Sequence, residues 1–244
     1  RRRAGLLIEI KPLASSSKGN AYFVTDGVTQ LLLECGISWK EIQRGLNFKT
    51  SEIQGCLISH GHLDHCKAAR DVMKAGIDIY ANPETLAAIS PAGEYRHRWY
   101  QVNYGQQIHI GTFIVKGFEL QHDVPNTGYL LYSTATKEKV AFITDSYYCK
   151  YTFTGLTHIM LEVNHSYEIL DRNVANGSLP VAQKKRLIQS HMSLENAKKF
   201  LQANDLSKVQ EIWLIHCSSA NSDPESFKVE VQQITGKPTY VAEE

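Results

Sequence analysis

Apolar residues recur along this chain with two periods, and the places where one gives way to the other mark its elements. Leu6, Ile8 and Ile10 fall on every second position near the start, the spacing of a strand. Residues 21–25 and 30–35 read as a hairpin pair around Asp26-Gly27, a strong turn signal. Ser38 caps a short helix through Leu46, and residues 53–59 form a buried strand. Ala68, Ala69, Val72 and Met73 then recur at helical spacing, which predicts a helix over 64–75 stopped by Gly76. A strand follows at 77–80. The middle of the chain returns to strands, at 108–110, 113–120, 128–133 and 139–144. The last third alternates: a strand at 157–161, a helix from Ser193 through Ala203, a strand at 211–215, and a helix opened by Asp223-Pro224 to about Ile234. With no internal repeat, low-complexity tract or linker, the expectation is an α/β fold. It occupies one domain over residues 1–244, with two β-rich halves covered by helices.

The chemistry concentrates where strands stop. Ser59-His60-Gly61-His62-Leu63-Asp64-His65 follows the apolar Cys56-Leu57-Ile58 and reads H-x-H-x-D-H. His60 and His62 alternate along extended chain and can converge on one ion, while Asp64 and His65 open the next element and can face a second. Histidine with carboxylate suits zinc first, with manganese as the alternative. Other apolar strands stop at His122, Asp145, Glu162 and His216. A strand end fixes the backbone while the loop beyond it gives access, so five such endings describe one site. His97, His109 and His158 lack that context and are not expected to be ligands.

Composition narrows the partners. The 244 residues are 43% hydrophobic, enough for a sizeable core, and carry 26 basic and 25 acidic residues for a formal net charge of +1. That balance supplies no basic face for a long duplex. The Arg1-Arg2-Arg3 terminus reads as a solvated end. No apolar run approaches a membrane span, so a soluble chain with no membrane partner is expected. Five scattered cysteines without a C-x-x-C pair argue against a disulfide framework and for a reducing cytoplasm, a host's if the chain is phage-encoded. Cys66 and Cys217 each follow a ligand candidate, but histidine and carboxylate already complete the set.

The ordered set His60, His62, Asp64, His65, His122, Asp145 and His216 resembles the metallo-β-lactamase superfamily, over essentially the whole chain. The resemblance implies a four-layer αββα sandwich, two mixed sheets flanked by helices, with two divalent ions at one edge. His60, His62 and His122 would hold one ion. Asp64, His65 and His216 would hold the other, and Asp145 would bridge them. Aspartate at the bridge is similar to the phosphodiesterase branches. The loop Ser15-Ser16-Ser17-Lys18-Gly19-Asn20 and the segment Glu162-Val163-Asn164-His165 resemble a bacterial and phage subgroup. That subgroup includes the exonuclease-like YycJ/WalJ proteins and phage anti-Pycsar phosphodiesterases, which degrade cyclic nucleotide signals. His191-Met192-Ser193 resembles a histidine motif of tRNase Z. Leu33-Glu34-Cys35-Gly36 departs from the usual I-D-x-G, since Glu34 is one methylene longer.

These residues lead to a metal-dependent phosphodiesterase. Two divalent ions would lower the pKa of a shared water toward neutrality and offset charge building on the phosphoryl oxygens. His191 would protonate the leaving alkoxide, oriented by Glu162, with Asp64 counted in the catalytic set. Ser17, Asn20, His165 and Trp99 are the substrate-contact candidates. Trp99 lies in Tyr95-Arg96-His97-Arg98-Trp99-Tyr100, which is suited to stacking a base or to a dimer contact. The near-neutral charge puts small cyclic nucleotides first as substrate and nucleic-acid ends second. A homodimer joined near residues 95–104 is expected.

Overall fold

The computed structural model describes residues 6–90 and 92–242, so the three N-terminal arginines lie outside the described residues. The first six strands form one mixed sheet in chain order: β1 (Glu9–Ser16), β2 (Gly19–Thr25), β3 (Gln30–Leu33), β4 (Ile53–Leu57), β5 (Ile79–Ala81) and β6 (Trp99–Gln101). β1 to β3 are antiparallel and β3 to β6 parallel. Helices α1 (Trp39–Gly45), α2 (Leu63–Cys66), α3 (Ala69–Lys74) and α4 (Pro83–Ile89) lie in its connections. The second sheet holds β7 (Gln107–Ile110), β8 (Phe113–Leu120), β9 (Asn126–Ser133), β10 (Lys139–Ile143), β11 (His158–Glu162), β12 (Glu211–Ile215) and β13 (Thr239–Val241), in the spatial order β13-β12-β11-β10-β9-β8-β7. Its helices are α5 (Tyr167–Ala175), α6 (Val181–Ser190), α7 (Leu194–Ala203) and α8 (Pro224–Thr235).

Successive side chains of a strand point to opposite faces, and here both faces are covered. Leu31 and Leu33 pack into a core between the sheets with Tyr22, Phe113, Tyr129, Val140 and Phe142. Leu32, between them in sequence, packs instead with Ile42, Ala69, Val72 and Leu86 of α1, α3 and α4. In the second sheet Ala141 and Ile143 turn outward to Phe200, Leu201 and Phe227 of α7 and α8, while Val140 and Phe142 turn inward. Three cores between four layers give the expected αββα sandwich. The uninterrupted apolar runs follow from double-sided burial. No helix among the described residues is long and apolar enough to cross a membrane.

Strand direction gathers the site. β8 and β10 are each antiparallel to β9 and therefore run the same way, and β11 and β12 are parallel to β10. The C-terminal ends of β8, β10, β11 and β12 share one edge, and beyond or at them stand His122, Asp145, Glu162 and His216. The segment after β4 is joined to this edge: Thr127 N–H donates to the Ser59 carbonyl at 3.0 Å and the Tyr129 hydroxyl to the Ile58 carbonyl at 2.7 Å.

The helix expected over 64–75 is two helices. The Ala68 N–H donates to the Cys35 carbonyl at 2.8 Å instead of continuing the helical ladder, so α2 and α3 are separate pieces. Helices α4, α5 and α6 and the short strands β6 and β13 were not expected. Asn82-Pro83 opens α4 with the same cap-and-proline signature that marks α8. α6 starts after Pro180 with no side-chain cap, and its sequence shows no apolar stripe of the usual width.

Candidate metal centre

His62 is the N-cap residue of α2, and its carbonyl accepts the N–H groups of His65 and Cys66 at 2.9 and 3.1 Å. That one-turn helix puts Asp64 and His65 beside His60 and His62. It rests on Gly36, where a Cβ would stand 1.7 Å from the Asp64 carbonyl oxygen. The Cys35 N–H donates to the His65 carbonyl at 2.9 Å, and the Asn20 amide donates to the Asp64 carbonyl at 3.2 Å.

The structure brings all seven ligand candidates together. His60, His62 and His122 form one group, and Asp64, His65, Asp145 and His216 a second. His60 Nε2 lies 3.1 Å from His62 Nδ1, which lies 3.4 Å from His122 Nε2. Nitrogens sharing one tetrahedral zinc at bond lengths of about 2.0–2.1 Å would stand roughly 3.3–3.4 Å apart, so this donor set fits one ion. In the second group His65 Nε2 lies 3.4 Å from Asp64 Oδ2, and His216 Nε2 lies 3.7 Å from it. Asp145 of the second group also faces the first. Its Oδ2 is 3.8 Å from His60 Nε2 and from His122 Nε2, and 3.4 Å from His65 Nε2.

Electrostatics agree with a cation site. Burial and the neighbouring imidazole of His65 hold the His60 pKa well down, and burial lowers that of His122, so both favour the neutral form that ligates. Burial would raise the carboxyls, yet facing histidines hold Asp64 and Asp145 well below the usual range. For His65 and His216, burial is outweighed by Asp145 and the other carboxylates, which raise both imidazoles. Buried carboxylates thus call for positive charge here, and divalent ions would supply it. The His65 Nδ1 and His216 Nε2 atoms are buried without a hydrogen-bond partner.

Strain marks the same edge. Glu34, Asp145 and His216 adopt φ values of 63°, 46° and 53°, each costing on the order of 1–3 kcal/mol for a non-glycine residue. Glu34 is fully buried; its carboxylate accepts from the Ser59 N–H and lies 3.6 Å from His65 Nδ1. The extra methylene relative to aspartate still reaches that histidine.

His191 stands beside the cluster. Its Nδ1 is 2.7 Å from Glu162 Oε1 and 3.9 Å from Asp145 Oδ2. Glu162 Oε1 also lies 2.9 Å from His216 Nδ1, while Oε2 accepts from the Ser146 and Met192 N–H groups. Burial pulls the His191 imidazole down, but the Glu162 carboxylate outweighs it and raises the pKa.

The substrate-contact candidates divide. Ser17 lines a pocket of about 370 Å³ with His62, Asp64, His122, His191 and His216. Asn20 is fully buried; its amide donates to the Ser16 and Asp64 carbonyls and its Oδ1 accepts from the Tyr22 hydroxyl, so it props the ligand loop. Ser15 accepts the His216 N–H at 2.8 Å. His165 is fully buried with neither ring nitrogen hydrogen-bonded, and its burial lowers the pKa to about 4; it does not line the pocket. Trp99, on β6, is half-buried against the outer core of the first sheet and is also away from the pocket lining. His97, His109 and His158 join neither ligand group. All five cysteines are free and buried, and burial pushes the Cys66 and Cys217 thiols up to about 12, away from the ligating thiolate.

Two pocket residues had no signal in the sequence. Asp123 Oδ1 lies 3.1 Å from His122 Nε2 and 3.5 Å from His62 Nε2. Arg186 of α6 lies 4.0 Å from Asp123 Oδ2. Asp123 has no strand-end position of its own, and Arg186 sits in a helix whose existence was not legible.

A two-sheet sandwich with histidines and carboxylates clustered at one edge defines a metallo-β-lactamase-fold hydrolase, and the centre is compatible with divalent metal. The family description "Beta-lactamase superfamily domain" matches residues 29–217, and the chain belongs to that family. It is 26% identical over 227 residues to the exodeoxyribonuclease WalJ of Streptococcus pneumoniae, covering 86% of this chain and 81% of that protein. Among solved structures it resembles the metallo-β-lactamase fold protein YhfI of Bacillus subtilis, with a TM-score of 0.73 at 14% identity over 97% of this chain and 96% of that one. The short form of human tRNase Z gives 0.65 at 14% identity, covering 98% and 97%. At that identity these two likenesses concern the fold.

Proposed function

We propose that the protein is a metal-dependent phosphodiesterase acting on the ends of nucleic-acid strands. The observation that carries the phosphodiesterase reading is the His191–Glu162 pair, whose Nδ1 stands 3.9 Å from the Asp145 oxygen that lies between the two ligand groups. Divalent ions held by His60, His62 and His122 and by Asp64, His65, Asp145 and His216 would supply Lewis acidity and a water ionised near neutral pH. Glu162 holds the His191 Nδ1–H and so leaves Nε2 as the atom to protonate the departing alkoxide. Asn20, Glu34 and Gly36 keep the ligand loop in place.

The choice of substrate rests on the relatives. The matched bacterial protein is named an exodeoxyribonuclease and is covered over most of its length. That supports strand ends over the cyclic nucleotides favoured by charge balance. A cyclic mononucleotide is the second reading, supported by the modest pocket in which Arg186 is the one lysine or arginine among the described lining residues. The reading also includes a homodimer joined near residues 95–104, where Tyr100 and Tyr104 are exposed. Light scattering near twice 27.5 kDa is its test.

The deciding experiment incubates metal-loaded protein with end-labelled oligodeoxynucleotide and with cyclic mononucleotides, each with and without chelator. Stepwise shortening of the strand, abolished by chelator and by His62→Ala, is expected. Turnover of the cyclic nucleotide alone would move the function to the second reading. Hydrolysis of neither, nor of a nitrophenyl phosphodiester, would end the phosphodiesterase proposal.

A further inference from the structure

Helix α6 presents the wrong kind of face for a structural helix. Gln183, Arg186, Leu187 and Ser190 fall at i, i+3, i+4 and i+7, one side of the helix, and all four line the metal pocket. A helix packed only for stability turns an apolar stripe inward; this one turns a mostly polar stripe toward the ligand cluster. Its C-terminal end meets the cluster directly. The Ser190 carbonyl is 2.9 Å from His122 Nδ1, and His191 is the next residue.

Arg186 is the one lysine or arginine among the described residues lining this pocket, whose other charged groups include the carboxylates Asp64, Asp123 and Asp145. Its neighbours on the helix are engaged elsewhere or open to solvent: Lys184 pairs with Asp171 on α5, and Lys185 is exposed. The Arg186 side chain is 77% exposed and pairs with Asp123 at 4.0 Å, a loose, solvated contact that costs little to exchange. Asp123 in turn lies against His122 and His62, so the guanidinium is tethered at the rim of the site.

We infer that Arg186 is a specificity-determining residue that binds an anionic group of the substrate outside the scissile phosphodiester, namely a flanking backbone phosphate of a nucleic-acid strand. A planar guanidinium with forked donors matches non-bridging phosphate oxygens and holds them bidentately. Divalent ions would serve the scissile group, and among the described lining residues no lysine or second arginine is offered to a further phosphate. Gln183, Ser218 and Ser219 also line the pocket and offer neutral hydrogen-bonding groups. The inference rests on the strand-end reading above.

The test compares wild type with Arg186→Ala, Arg186→Lys and Lys185→Ala, all metal-loaded, on an oligodeoxynucleotide and on bis(p-nitrophenyl) phosphate, which has no second anionic group. Arg186→Ala is expected to raise KM for the oligonucleotide about tenfold with kcat within about twofold. The rise should be at least about fivefold smaller on the nitrophenyl ester. The magnitude of the salt slope of log kcat/KM on the strand should fall by about 0.7, one phosphate contact. Arg186→Lys should recover part of the loss, and Lys185→Ala should match wild type. Equal losses on both substrates, or no loss on the strand, would overturn the inference. Binding of labelled oligonucleotide in chelator, read by fluorescence anisotropy, separates this from the functional reading. A strand that binds through Arg186 but is not cut would refute only the nuclease assignment. A wild type that neither binds nor cuts it would overturn both.

Discussion

A Cβ placed on Gly36 would stand 1.7 Å from the carbonyl oxygen of Asp64. The segment after β3 therefore touches the ligand helix α2 by backbone, and this close approach sets where Asp64 and His65 lie. Gly36→Ala is expected to destabilise the fold by more than about 3 kcal/mol, since no flexible side chain can give way. Surviving folded protein should have lost metal affinity. Thermal unfolding with metal titration reads both, and a variant with wild-type stability would show that the loop does not need this contact.

Glu34 braces His65 from the buried side, 3.6 Å from Nδ1. Groups that orient a ligating histidine typically contribute 10–100-fold in metal affinity. Glu34→Ala should weaken metal binding by about that factor while retaining secondary structure by circular dichroism. Unchanged affinity in a chelator competition would remove Glu34 from the site's support.

His191→Ala should lower turnover on an alkyl phosphodiester by roughly 10²–10⁴, the usual worth of a general acid. Metal content should stay unchanged. The loss should shrink on a nitrophenyl ester, whose leaving group departs without a proton. Equal losses on both esters would mean that His191 acts through metal or structure.

Asp26 sits far from this chemistry and ties the sheets together. Its carboxylate accepts the Thr112 and Ser133 hydroxyls, at 2.5 and 2.6 Å, and the Val28 and Thr29 N–H groups. Burial would raise its pKa, but these hydrogen bonds hold it below the ordinary carboxylate value. With the folded pKa depressed, the stabilisation is fully present above the unfolded pKa of about 4 and is lost as pH falls through the folded value. Asp26→Ala should cost about 2–4 kcal/mol at neutral pH, leaving four donors without their acceptor. Denaturant unfolding across pH 2–7 should show the gap narrowing only at the acid end. A gap that stays constant through that range would contradict the sign argued here.

The sequence by itself determined the elements whose two faces are both buried and the residues at their ends. Double-sided burial writes continuous apolar runs such as those of β3, β10, β11 and β12, and a run that stops abruptly at histidine or aspartate marks a strand end. His60, His122, Asp145 and His216 were legible for that reason. The break between α2 and α3 was not, because an N–H diverted to Cys35 leaves no trace in the local pattern. Nor were the supporting roles of Asn20 and Ser15, which depend on what lies across the loop, or the pocket places of Asp123 and Arg186. These belong to parts of the chain without strong periodicity: a loop residue after a ligand, and a polar helix facing a site. Periodicity records which side of an element meets apolar core. Only the packed chain decides what a polar side chain meets, because its partners come from strands and helices far away in sequence.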